Sequence, residues 1–460
     1  MARQAKKRST TSQQTPANQF STSASSGVPA AIMGPRILIL IATLALLLLG
    51  FVMVYSASSI VALNEGLSTE SYLVKQLIYA AVGIVICVVI WKLIPYHIWL
   101  GPLSWLVWGL AVFLLLLVAL IGNEGYGATR WVDIGPFSLQ PSEFAKIVFM
   151  IMTARIIFEL RNGEIDLKTA VVQGFVLVFM PLMLIFFLQS DLGTTLICFV
   201  GILMVLWLGE IPLKLILGIL AAGLIAVIFA STIGYRADRF IFLNPWDDGE
   251  GGLGTGYQLI HSYYAFAQGG LFGVGLGNSR EKFLYLPMSE TDFIYAIIGE
   301  ELGLIGALIV IVLFIVFLYA GLKIAQSAPD GFGTMLAGGL TAMIVFQAFL
   351  NIGCVIGVLP TTGKPLPFIS SGGSSLMASL IMFGLILSVS QGSNTLSVYE
   401  QRRNDLRVVR ARNNSRSGGR SRQFTSHEAE PFTRGRRETS SARSREFSVA
   451  YVDGRFWDRR

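Results

Sequence analysis

Histidine and cysteine are scarce in this 460-residue chain, with three of each. His97, His261 and His427 are scattered over different regions and share no ligand spacing, so no histidine metal site of recognisable form is expected. Cys87, Cys198 and Cys354 all lie in or at the ends of apolar runs, where thiols behave as small hydrophobes, and no disulfide framework follows. Charge is also sparse: 14% of residues are charged against 53% hydrophobic, and the mean hydropathy is +0.63. A soluble domain spreads charge more evenly, so the composition points to membrane lipid as the surroundings and to no nucleic-acid partner.

What the chain has in abundance is uncharged sequence. A hydrocarbon core of about 30 Å takes roughly 20 helical residues to cross. Ten such runs recur, at about 37–57, 74–94, 99–121, 144–160, 170–188, 192–209, 212–233, 293–322, 333–358 and 373–393. The expected fold class is therefore all-α, a polytopic membrane protein of about ten transmembrane helices with a large outer loop, 234–291, between the seventh and eighth. The first run follows a long polar tail and is itself long enough to span, so it reads as a start-transfer anchor rather than a cleavable signal.

Charge sets the expected orientation. Residues 1–36 carry five basic and no acidic residues, and residues 401–460 carry sixteen arginines against seven acids. The tails thus hold +5 and +9 of a formal +7, which leaves −7 for the body between them. Basic tails stay in the cytoplasm, and an even number of spans returns both to that side. Segments 1–36 and 396–460 are poor in large apolar residues and read as disordered cytoplasmic tails flanking a membrane domain, 37–395. Arg155, Arg161, Lys168, Lys214 and Lys323 fall inside. Arg130, Arg236, Arg239, Arg280, Lys282 and Lys364 fall outside, against the topology rule, which suggests an anionic ligand at the outer surface.

Four polar segments open to that outer side. In the first, GATRWVDIGPFSLQPSEFAK from Gly127 to Lys146, Glu143 and Lys146 are three apart on one helix face; structural pairing and a substrate role are both open. Arg130 has no acid at helical spacing, and its guanidinium fork suits phosphate oxygens. The second, QSDLGT, reads as a turn in which Asp191 caps a helix. The third is the long loop, dense in aromatics and glycines and therefore expected to be ordered, with an interfacial or re-entrant helix in YQLIHSYYAFAQGG. Its GVGLG lacks the strand-turn-helix setting of a nucleotide fingerprint. It ends at Asp292, preceded by Arg280 and Lys282 and followed by an apolar run of about 45 Å, longer than the membrane needs. A carboxylate there could accept a hydroxyl proton while the cations hold an anionic leaving group. Glu300 and Glu301, two turns deeper, are expected to support the helix from inside the bundle. In the fourth, GVLPTTGKPLPFISSGGSS, Lys364 adds a point charge, and Ser370 and Gly372 stand where the glycine-serine end would offer N–H groups to an anion.

Taken in order, GATRW, QPSEFAK, SDLGT, GxGLGxSxxK, LPxxxTDFIYAIIGEELG and LPTTGKPLPFISSGGSS resemble the SEDS family (shape, elongation, division and sporulation) over roughly residues 37–395. The PTTG turn, PFISSGGSS and the long polar tails are more similar to its division members than to its elongation members. The resemblance implies a glycosyltransferase of the bacterial cytoplasmic membrane that polymerises lipid II, the undecaprenyl-diphosphate-linked disaccharide-pentapeptide, at the division septum. It further implies a class B penicillin-binding protein transpeptidase and other division proteins as partners. The catalytic aspartate falls on Asp292, and sensitive polar positions fall on Arg130, Glu143 and Lys146. Two positions depart from the family: Met288-Ser289-Glu290 stands where Glu-Ala-His is common, and Ser371 where a tyrosine is common.

The expected reaction is inverting glycosyl transfer, with Asp292 as the one base and Arg130, Lys146, Lys364 and a divalent cation, magnesium or manganese, as candidate stabilisers of the diphosphate. Arg280, Lys282, Glu143, Ser370 and Gly372 complete the candidate substrate contacts, with Asp191, Glu300 and Glu301 assigned to structure. The alternatives are a transporter of the lipid-linked precursor and a non-catalytic scaffold for a transpeptidase.

Overall fold

In the computed structural model, the described residues are 30–125, 128–134, 137–231 and 241–392. The basic tails, Gly127, Arg236, Arg239 and His427 lie outside them.

Each of the ten apolar runs falls on a helix. These are α1 (Ala30–Asn64), α2 (Ser71–Leu93), α3 (Pro102–Ile121), α4 (Pro141–Arg161), α5 (Leu167–Phe187), α6 (Leu192–Leu208), α7 (Leu213–Ser231), α9 (Ile294–Gln326), α10 (Gly331–Val355) and α11 (Gly373–Gly392). Six of them, α1, α2, α5, α9, α10 and α11, are long and apolar enough to cross a membrane; the apolar stretches of α3, α6 and α7 are shorter. The remaining helix, α8 (Tyr257–Gly269), lies in the long outer loop, within the segment read as an interfacial helix.

Local chemistry sets the helix ends. Pro102 and Pro141 begin α3 and α4, where a missing N–H costs nothing. Asp166, Asp191 and Asp330 cap α5, α6 and α10 by accepting from the amides of Thr169, Thr194 and Gly333. Within α5 a π turn, Phe175–Phe179, precedes Pro181, which has no N–H to continue the regular ladder.

Burial separates centre from rim. About 83% of the apolar window of α10 and of α11 is buried, against 28% of α2, so the first two form the centre of the bundle. α10 packs on α9, α6 and α4, while α1 runs along α9 and α3 lies on α4. Leu44, Leu48, Val85 and Ile309 are exposed, as apolar side chains are where lipid replaces water.

Two features differ from the expectation. The segment after α3 is a three-stranded antiparallel sheet, β1 (Asn123–Gly125), β2 (Ala128–Ile134) and β3 (Phe137–Leu139), in which Val132 pairs with Leu139 and Ile134 with Phe137. And the run 293–322 is not one straight helix: α9 breaks at Gly303, where φ is 69° and ψ is −170°, a region essentially reserved for glycine. The arm from Ile294 to Leu302 is packed inside protein. The loop after α8 supplies the hydrogen bonds the break removes. Gly270 and Leu271 accept from the amides of Leu304 and Ile305, and the amides of Val274 and Gly275 donate to Glu300 and Glu301.

Candidate active site

One end each of α4, α6, α9 and α10 converges with β2 and the loop 357–372 on a buried polar cluster. Near the start of α4, fully buried Lys146 donates to Glu143 at 2.7 Å and to Gln347 of α10 at 2.8 Å. From the loop, Lys364 donates to Asp191 at 2.7 Å and to Thr194 at 2.6 Å, and lies 3.9 Å from the second oxygen of Glu143. Arg130 on β2 gives its Nε and one Nη to the carbonyls of Gln189 and Ser190, both at 2.8 Å. Burial alone would raise the Asp191 carboxyl. Lys364, Arg130 and the Thr194 amide outweigh it and hold the group at about 2.

Asp292 stands at the edge of this cluster, one residue before the Phe293 that opens α9. Its backbone is fixed, because the Asn351 amide of α10 donates to its carbonyl at 2.7 Å and also to that of Lys364. Its carboxylate is different. Among the described residues no group donates to it, and the residue as a whole is half-buried. Gly363, at φ +64°, passes so close that a Cβ there would come within 3.3 Å of the carboxylate. Burial pushes the Asp292 carboxyl up, Lys364 and Arg130 pull it down, Glu290 and Asp191 push it up again, and it settles at about 6. The cations Arg130, Lys146 and Lys364 thus meet the carboxylates Glu143, Asp191 and Asp292, with Glu290 two residues along the chain. A proton on Asp292 removes one negative charge from this cluster.

A second polar knot lies beneath the outer loop. Glu301 accepts from Ser56 of α1 at 2.7 Å and from Lys282 at 3.0 Å, and Glu300 accepts from the Ser279 hydroxyl and from the Arg280 amide at 2.7 Å. Both glutamates hold the segment 279–282 against the break in α9.

Several residues expected to meet substrate are already engaged. Lys282 and Lys364 are each 3% exposed and ion-paired, so neither is an open cation at the surface. The Arg130 fork is spent on the turn before α6 rather than open to phosphate. Ser370 donates to the Thr291 carbonyl at 2.6 Å and accepts from the Leu366 amide at 2.8 Å, and the Gly372 carbonyl accepts from Leu376 as α11 begins. Arg280 is the exception, because its side chain is exposed.

Beside the cluster an apolar cavity of about 1050 Å³ begins at Leu192 and Thr195 and runs between α5, α6 and α7 along Phe199, Ile202 and Leu206. The profile of a family of cell cycle proteins, that of FtsW, RodA and SpoVE, matches residues 36–395. The chain belongs to this family. It is 39% identical over 365 residues to the stage V sporulation protein E of Bacillus subtilis (strain 168), covering 78% of this chain and 98% of that protein. It is 38% identical over 365 residues to a probable peptidoglycan glycosyltransferase FtsW of Trichlorobacter lovleyi, covering 77% and 93%. In fold it is similar to a chain of a peptidoglycan synthase complex that coordinates polymerization and crosslinking, 25% identical, with a TM-score of 0.61 over 77% of this chain and 97% of that one. It is likewise similar to the rod shape determining protein RodA of Thermus thermophilus, 25% identical, with a TM-score of 0.57 over 77% and 95%.

For a member of this family the sequence reading lacked Thr194, Gln347 and Asn351. Their signal was present in part. Gln347 and Asn351 are polar residues four apart on an otherwise apolar helix, which puts both on one face. Asp191 was legible as a cap; its bond to Lys364, 173 residues away, was not.

Proposed function

We propose that this protein is a peptidoglycan glycosyltransferase that polymerises lipid II at the outer face of the bacterial cytoplasmic membrane, during septal wall synthesis, with a class B penicillin-binding protein and other division proteins as partners. The observation that carries it is the Asp292 carboxylate: on a half-buried residue, without a hydrogen-bond donor among the described residues, raised to about 6, and set beside the cations Lys364 and Arg130. A general base works best with a proton affinity near the operating pH.

Asp292 takes the proton from the 4-hydroxyl of the acceptor sugar as that oxygen attacks the anomeric carbon of the donor. The bond to the lipid diphosphate breaks on the opposite face, so one base and one displacement invert the centre. As the proton arrives, the cluster loses one negative charge just as negative charge develops on the departing diphosphate. Exposed Arg280 can meet that diphosphate directly, while Lys146 and Lys364 act through their field from inside. Among the described residues no three His, Cys, Asp or Glu side chains gather to hold a metal. A magnesium or manganese ion therefore fits best as a companion of the diphosphate oxygens. The apolar cavity between α5, α6 and α7 offers the prenyl chain a place beside Asp191. All ten long helices cross the bilayer, and both termini are cytoplasmic.

The test is purified protein in liposomes with lipid II, with and without the transpeptidase partner, comparing wild type with Asp292→Asn. Glycan strands from wild type and none from the variant are expected. Equal strands from both would remove the base, and precursor crossing the bilayer without polymer would make the protein a transporter.

A further inference from the structure

Glu290 stands two residues before Asp292 and has no part in the reaction described above. It is 7% exposed and, among the described residues, makes no ion pair; the Ser289 hydroxyl donates to it at a long 3.4 Å, and its own backbone amide also favours the ionised form. Of the other buried carboxylates near the site, Glu143 is answered by Lys146, Asp191 by Lys364, Glu301 by Lys282, and Glu300 by the Ser279 hydroxyl and the Arg280 amide. A buried carboxylate without a counter-charge is costly, and a glutamine of the same shape would avoid the cost.

Its position is also fixed. Three successive carbonyls are each held by a donor from elsewhere: that of Glu290 by the Ser371 amide at 2.9 Å, that of Thr291 by the Ser370 hydroxyl at 2.6 Å and that of Asp292 by Asn351 at 2.7 Å. Met288, at φ 56°, accepts from the amides of Thr291 and Phe293 and closes the turn on the other side. The backbone that carries both side chains is therefore held in place.

We propose that Glu290 is a positioning residue that sets the proton affinity of Asp292 through the field of its own carboxylate, which the pinned turn holds two residues away and no cation among the described residues pairs. The proposal rests on the reading of Asp292 as the base. Every charged group facing the pair fits this role. Lys364 from the loop after α10 and Arg130 from β2 favour ionised Asp292, but both are already bound to other acceptors. Asp191 at the start of α6 and Glu290 itself oppose ionisation. Glu65, at the end of α1, adds a further negative charge beside Glu290, and Asn351 of α10 is neutral. Like charges in a medium of low polarity raise one another's proton affinity. Glu290 thus offsets the pull of the two cations and keeps Asp292 a competent base near neutral pH.

The experiment is the pH dependence of lipid II polymerisation by the purified full chain with its transpeptidase partner, for wild type, Glu290→Gln, Glu290→Asp and Asp292→Asn. Glu290→Gln keeps the shape and removes the charge. Its acid limb is expected to move down by roughly one pH unit, with a several-fold lower plateau, and Glu290→Asp is expected to restore the limb. A Glu290→Gln limb at the wild-type midpoint, whatever the plateau, would overturn the proposal, because a purely structural role changes the plateau alone. If Asp292→Asn still polymerises, the base assignment itself falls; if Asp292→Asn is inactive and the limb of Glu290→Gln is unmoved, only the role of Glu290 falls.

Discussion

At Asp292 burial prevails over the attraction of Lys364 and Arg130, and the carboxyl titrates at about 6 rather than near its ordinary value of about 4. Only the ionised form can accept a proton, so the initial rate of polymerisation is expected to fall as the pH drops through about 6. An acid limb near 4 would mean that the residue sits in a wetter and more polar setting than the structure gives it. Lys364 carries a different prediction. Lys364→Met leaves the buried Asp191 carboxylate without its partner, at a cost of about 3–5 kcal/mol, which a thermal melt in detergent will read as a lowered midpoint. Adding Asp191→Asn should recover part of the loss, since the uncompensated charge is then gone; a double variant as unstable as the single one would show that the pair does not act as a unit. At this scale the sequence displayed charges but not partners. Asp292, Arg130, Glu143, Lys146 and Lys364 were all visible as polar residues in an apolar setting. That Arg130 is held by the carbonyls of Gln189 and Ser190 depends on a fold that brings chain 59 and 60 residues away alongside it.

The helices were legible as apolar runs, because length and composition alone decide whether a segment can cross a membrane. The break in α9 was not. Gly303 lies among Gly299, Gly306 and large apolar residues with nothing nearby to mark it as special, and only the approach of the loop after α8 makes its conformation necessary. A Cβ at Gly303 would lie 2.3 Å from the amide nitrogen of Gly273 and 2.5 Å from the carbonyl oxygen of Leu271. Gly303→Ala therefore pushes the loop off the helix and strains its backbone by about 1–3 kcal/mol. Because that loop leads to the Ser279–Lys282 segment held by Glu300 and Glu301, the variant is expected to lose polymerisation as well as stability. Gly109→Ala in α3 offers the comparison: its Cβ would meet nothing within 4 Å. Equal losses from the two would show that the break does not position the outer loop. The sheet β1–β3 escaped the sequence for a related reason, since strands of three to seven residues in a polar segment present too few alternations to be read.

For the whole molecule the open geometric question is which side of the membrane Asp292 faces, and charge supplies the argument. The turn after α4 carries Arg161, the start of α5 carries Lys168, and α9 ends at Lys323, all on the side that the positive-inside rule assigns to the cytoplasm. The turn between α1 and α2 carries Glu65 and Glu70 and no cation, and Asp292 lies at the opposite end of α9 from Lys323. Three positions separate the two sides. Ser68 in the first turn, Asn162 after α4 and Gln326 at the end of α9 are all exposed, and the native cysteines Cys87, Cys198 and Cys354 are buried and can be replaced by serine for the background. With single cysteines at these positions, a membrane-impermeant maleimide is expected to label Ser68→Cys on intact cells, and Asn162→Cys and Gln326→Cys only after permeabilisation. The reversed pattern would place Asp292 in the cytoplasm and make its hydroxyl substrate a cytoplasmic one. A mixed pattern, with Asn162 and Gln326 on different sides, would mean that one of the helices between them fails to cross. The shorter apolar stretches of α6 and α7 make those two the first to suspect.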